Sequence, residues 1–116
     1  MTARKPGAAF ERYLGKRFPD ASSRERFDRE VATIRAIAQM VAALEASREA
    51  LSLKKSELAL RTGRKGPAVS RLLMSPSSNP TLKTWLEVLD AMDLRAEIRL
   101  RRRRRDSHKL VEVHAV

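Results

Sequence analysis

The sequence predicts a mainly α fold: a five-helix bundle that closes on a C-terminal β-strand or hairpin. Three observations lead there. Apolar residues recur at helical spacing through residues 23–50. Stop and start residues, namely Gly63, Pro67 and the pair Asn79-Pro80, then cut the chain into short pieces. At Leu94 the apolar period drops to two, as in a half-buried strand.

Residues 1–22 read as an N-terminal arm and a short amphipathic helix. Between 7 and 18 the helix would use Ala8, Ala9 and Tyr13 with Phe10, Leu14 and Phe18, and Pro19-Asp20 would break it. Ser22 to Glu25 spell a capping box, in which Ser22 caps and Glu25 reaches back. A long lead helix over 23–50 follows, with Phe27, Val31, Ile34, Ala38, Val41 and Leu44 as its stripe and Ile37 and Met40 widening it. A short helix near 57–61 places Leu58 inward, with Ala59 small, and ends at Gly63, which takes a left-handed cap without a Cβ penalty. The next helix starts at Pro67, where a missing N–H does no harm, and runs to about 74 with Val69, Leu72 and Leu73 as core. Asn79-Pro80 opens a support helix over 80–92, with Leu82, Trp85, Leu86, Leu89 and Met92 on one face. Residues 94–116 form the last unit. Leu94, Ala96, Ile98 and Leu100 alternate with charged residues, Val111, Val113 and Ala115 alternate again more weakly, and a basic run lies between.

Composition bounds the function. The 116 residues make one domain, and the absence of cysteine excludes a disulfide framework, a cysteine zinc site and thiol catalysis. No apolar run approaches the ~20 residues of a membrane span. The N-terminal residues carry charge but no apolar core of a secretory signal, so a cytoplasmic protein is expected. His108 and His114 lack partners at metal-ligand spacing, and residues 62–66 lack the spacing and Lys-Ser/Thr ending of a phosphate loop. No metal, cofactor or enzymatic activity is expected. The net charge is +11, and residues 54–85 hold seven Lys and Arg against one acid. Clustered positive charge suggests a polyanion partner; a solvated basic surface is the plain alternative.

The cluster coincides with a motif. Two short helices, a small Ala59 at their crossing, a glycine turn at Gly63, and Val69 and Leu72 to lock the second helix on the first make helix-turn-helix geometry. Ser56-Glu57-Leu58-Ala59, Gly63 and Ala68-Val69-Ser70-Arg71-Leu72 resemble the helix-turn-helix of XRE (lambda-repressor-like) regulators, and Asn79-Pro80-Thr81-Leu82 is similar to the start of that family's fourth helix. The resemblance covers about residues 44–92. A leading helix containing Phe10-Glu11-Arg12-Tyr13-Leu14, a long helix and a terminal strand over 94–100 are similar to HigA-type antitoxins. The resemblance implies a homodimer that binds a palindromic double-stranded DNA operator, represses its own operon and neutralises a RelE-like toxin. Other readings are a phage- or host-type repressor without a toxin, and a basic RNA-binding protein. An RNA duplex closes its major groove to a helix, which disfavours the last.

Two departures shape the site. Lys54 stands where the family caps its helix with Ser or Thr, and Gly66 and Pro67 stand where polar side chains are usual. Base contact therefore falls to Arg64, Lys65, Ser70 and Arg71, with Pro67 able to touch a thymine methyl. Phosphate contact falls to Lys54, Lys55, Asn79 and Lys83. Each has a plain reading: a solvated surface for the lysines and Arg71, a helix cap for Asn79. Trp85 belongs to the core. The arginine run 101–105 reads as a solvated tail or as a minor-groove or phosphate arm. The dimer element is the strand 94–100, through its unpaired edges, or the long helix.

Overall fold

In the computed structural model, which describes residues 9, 12, 13, 16 and 20–114, four helices are complete: α1 (Ala21–Ala50), α2 (Lys55–Thr62), α3 (Gly66–Met74) and α4 (Leu82–Ala91). Ala9, Arg12, Tyr13 and Lys16 are also helical. The remaining residues of the expected helix over 7–18 lie outside the described residues. The fold is mainly α.

The chain enters α1 through Asp20, whose extended backbone aims its carboxylate at the Ser23 N–H, 2.6 Å away. That hydrogen bond from Ser23 lowers the Asp20 carboxyl. The helix therefore opens two residues before the Ser22 cap that the sequence suggested. A carboxylate satisfies a free N–H and also faces the positive end of the helix dipole, so Asp20 takes the role and Ser22 becomes a helical residue. Glu25, freed from capping, pairs with Arg29 one turn on at 2.7 Å.

The buried line of α1 also differs from the expected stripe. It runs through Ala32, Ala36, Val41, Leu44 and Ser47, while Ile34 is 63 % exposed and Ala38 is exposed. Apolar residues occupy more than one side of this alanine-rich helix, so periodicity alone does not choose a face. Packing chooses the small side, where alanines permit close approach. At the C-terminal end Arg48 bonds the Leu53 carbonyl at 2.7 Å and grips Glu45 through two nitrogens. This network spans the turn containing Ser52, a non-glycine residue at φ 54°.

Helix α1 packs against α3 and α4, and α2 packs against the same two. Leu44, Leu58, Val69 and Val88, one from each helix, are the fully buried side chains; Leu53, Ala59, Leu73, Trp85 and Met92 complete the core. Helix α4 starts later than Asn79-Pro80 suggested: the cap is Thr81, whose hydroxyl accepts from the Thr84 N–H at 3.1 Å. Its apolar stripe is wider than the core it meets. Trp85, Val88 and Met92 are buried, whereas Leu82 and Leu86 stay exposed.

Beyond α4 the expected strand and hairpin do not form; no strand occurs among the described residues. The two-residue period is nevertheless expressed in burial. Leu94 and Ala96 pack on the core, then Ile98 and Leu100 are 72 % and 94 % exposed. The chain leaves the core after Ala96 and meets no neighbouring edge, and a strand exists only by hydrogen bonding to another. None of the helices is long and apolar enough to cross a membrane among the described residues.

Candidate nucleic-acid interface

The turn between α2 and α3 is built by three residues. Gly63 sits at φ 67°, the left-handed conformation that a Cβ would strain. Arg64 donates its backbone N–H to the Ala59 carbonyl at 2.9 Å, closing the end of α2. Lys65 returns to extended backbone as the N-cap of α3. Its side chain makes no cap, but the start of α3 needs little help. Pro67 has no N–H, and Ala68 and Val69 both donate to the Lys65 carbonyl, at 3.0 and 3.1 Å.

Helix α3 has two unlike faces. Val69 and Leu73 are buried, and Leu72 packs against the core. Pro67, Arg71 and Met74 lie outward at i, i+4 and i+7, all exposed, with half-buried Ser70 beside them. The outward stripe therefore gathers Pro67, Ser70 and Arg71 from the sequence-derived set and adds Met74, which the sequence pattern does not single out.

The expected cations divide into free and engaged groups. Lys54, Lys65 and Arg71 are exposed, and none is in an ion pair among the described residues. Lys54 is indeed the N-cap of α2. Its ammonium has no lone pair to accept with, while Glu57 returns half a capping box by accepting the Lys54 N–H at 3.4 Å. Lys55 is half-buried on the side of Glu45. Arg64 is withdrawn from the outward stripe. Its side chain is 25 % exposed and its guanidinium bonds Glu87 on α4 at 3.0 Å, while Lys83 lies 3.5 Å from the other oxygen of the same carboxylate. The Arg64 hydrogen bond, ahead of the Lys83 charge, lowers the Glu87 carboxyl. Asn79 is exposed and borders an open groove of about 350 Å³ with Arg71, Ser75 and Thr84.

Three side chains that fix this surface were not legible as such. Arg61 donates to the Ala91 carbonyl at the end of α4, 2.9 Å away. Ser78 donates to the Leu72 carbonyl at 2.6 Å and holds the loop after α3. Glu87 holds Arg64. All join residues far apart in sequence or in irregular loops, and period and capping rules carry no signal for such pairs.

Compared with protein-family models, curated proteins and solved structures, the chain finds no match.

Proposed function

We propose that the chain is a sequence-specific DNA-binding repressor of the XRE type, reading a palindromic operator as a homodimer and serving as the antitoxin of a RelE-like toxin. One observation carries the DNA reading: α3 buries Val69 and Leu73 and turns Pro67, Ser70 and Arg71 outward. A nine-residue helix is about 13 Å long and fits the ~12 Å width of a B-DNA major groove. In this reading Arg71 makes bidentate contact with a guanine edge, Ser70 and Lys65 contact neighbouring positions, and Pro67 meets a thymine methyl. Lys54, Lys55, Lys83 and Asn79 take flanking phosphates and fix the register. Arg64, held by Glu87, orients the turn.

Dimerisation is supported by the interrupted apolar row. Leu94 and Ala96 are covered by the chain itself, whereas Ile98 and Leu100 continue the same alternation uncovered. The same residues of a second copy would cover them and supply the missing strand partner. The antitoxin role rests on the sequence resemblance of the leading segment and the long helix; the strand over 94–100 that the resemblance implies is not formed within this chain.

In vitro selection from random duplexes tests the proposal. The expected product is a palindrome with half-sites about one helical turn, ~34 Å, apart. Binding without any enriched sequence would overturn specific recognition. A chain that binds its operator yet fails to protect cells from a co-expressed RelE-like nuclease is a repressor without that toxin partner.

A further inference from the structure

The arginine run 101–105 lies apart from the α3 surface. After Ala96 the chain leaves the core and turns back on itself: Ser107 N donates to the Arg104 carbonyl at 3.2 Å, and Lys109 N to the Ser107 hydroxyl at 3.2 Å. The returning stretch brings His108 and Leu110 to the same cavity as Arg103, about 390 Å³, whose other wall is Arg29, Ala32 and Thr33 of α1. The bent arm therefore rests on the first half of α1, where buried Ala32 and Ala36 let it come close. Leu44, which joins the core beneath α3, is twelve residues farther along α1, about 18 Å along its axis.

The arm carries charge that the chain does not neutralise. All five arginines are exposed, and none is in an ion pair among the described residues. The nearby acid Glu112 is engaged by Lys109 at 3.2 Å. That hydrogen bond is the first cause of its lowered carboxyl, with the charges of Lys109, His114 and Arg101 adding to it. Five adjacent unpaired guanidinium groups repel one another, so the arm has repulsion to shed by meeting a polyanion.

The chemistry selects the polyanion. Five identical side chains in a row define no register of their own, and the exposed apolar residues Ile98 and Leu100 precede the run rather than lie within it. A phosphate backbone is a regular repeat of anions that the guanidinium fork matches bidentately in any register. Residues 99–114 contain no Phe, Tyr or Trp, so stacking on unpaired bases would fall to His108, His114 and the guanidinium planes, and the regular backbone of a duplex suits the run better. We propose that the run 101–105 is a second nucleic-acid contact, gripping the phosphate backbone of duplex DNA outside the base pairs that α3 reads. This rests on the DNA-binding reading above.

The test compares the native chain with the variant R102Q/R104Q/R105Q, which leaves Arg103 in its cavity. Affinity for the operator duplex is measured between 50 and 200 mM salt, on the bare site and on one extended by about one helical turn (~10 bp) at each end. Removing one phosphate contact shallows the logarithmic salt slope by about 0.9. Three such contacts make a factor of about forty across this range, so on the extended duplex the native affinity should fall further than the variant's by about forty-fold for each arm engaged. On the bare site the two slopes should converge. The substituted residues are exposed and unpaired, and an unchanged circular dichroism spectrum checks the fold. Equal slopes on the extended duplex would overturn the arm, and that is also the result expected if the arm serves an acidic protein. A native chain without affinity for any duplex would instead remove the DNA reading itself. A native slope that does not steepen on the extended duplex overturns the arm even without the variant.

Discussion

Trp85 of α4 donates its indole N–H to the main-chain carbonyl of Met40 in the middle of α1, at 3.0 Å. The contact fixes both the height and the rotation of α4 along the long helix. The Met40 carbonyl lies in the helix interior, where the α-helical ladder already offers it a partner. The indole therefore adds a second hydrogen bond rather than rescuing an orphan.

Trp85→Phe keeps most of the apolar volume and removes the donor. It should destabilise the fold by about 0.5–1.5 kcal/mol, the range of one net hydrogen bond. Trp85→Ala should cost about 3–5 kcal/mol, because it also opens a cavity beside Val88 and Met92. Urea midpoints for both variants check this. Equal losses would assign the whole effect to the indole N–H that both variants lack, whereas a Trp85→Phe variant as stable as the native chain would make that N–H irrelevant.

Arg71→Ala should weaken operator binding by about 1–3 kcal/mol and relax preference at one base pair per half-site. Lys55→Ala should weaken operator and scrambled duplex alike. Neither change should unfold the chain, since Arg71 is exposed and Lys55 is outside the core. Paired titrations at one salt concentration decide. If Arg71→Ala lowers both affinities by the same factor, base reading lies with Lys65, Ser70 or Arg64.

The Glu45–Arg48 pair should give the fold an acid limb. Hydrogen bonding from Arg48, followed by the charges of Arg48 and Lys55, lowers the Glu45 carboxyl against the opposing effect of burial. A carboxyl lowered on folding stabilises the native state fully above its unfolded value. That stabilisation disappears as the pH falls through the folded value, because the proton then binds both states. Glu45→Gln should therefore be less stable than the native chain at pH 7 and approach it near pH 3. Denaturation midpoints from pH 7 to pH 3 test this. A difference that stays constant would trace the effect to packing rather than ionisation.

Truncation after Met92 removes Leu94 and Ala96 from the core and the exposed pair Ile98 and Leu100 with them. The double variant I98D/L100D removes the exposed pair alone and leaves the core seat intact. Both should sediment as monomers, and both should bind the operator more weakly. A dimer that persists in I98D/L100D would transfer the interface to α1, where Ile34 is exposed.

What was legible in the sequence follows from the range of each force. Gly63 and Pro67 act within a turn, and their roles are local stereochemistry, so the end of α2 read correctly and the start of α3 to within one residue, whereas α2 begins at Lys55, two residues before the expected start. Val69 and Trp85 lie on short helices with one apolar face, and their burial also follows from period. The face of α1 does not, because alanine is small enough to be buried or exposed at little cost, and only the approach of another segment decides. The caps at Asp20 and Thr81 were not legible because several polar residues compete for the role within one turn. The strand after Leu94 is a different failure. Alternation describes a surface, whereas a strand is a relation between two chain segments, and no described segment of this chain pairs with Ile98. At the candidate interface, exposure of Arg71 was legible but the retreat of Arg64 was not, since the carboxylate that holds it lies 23 residues away.

Arg61 and Arg64 both reach from α2 and its turn to α4, one to the terminal carbonyl at Ala91 and one to Glu87 a turn earlier. The two anchors make α2, the turn and α4 a single lever rather than three parts. The start of α3 thus inherits its placement from α4 as well as from the glycine turn, so loss of either guanidinium should loosen the turn while leaving Val69 and Leu73 in the core.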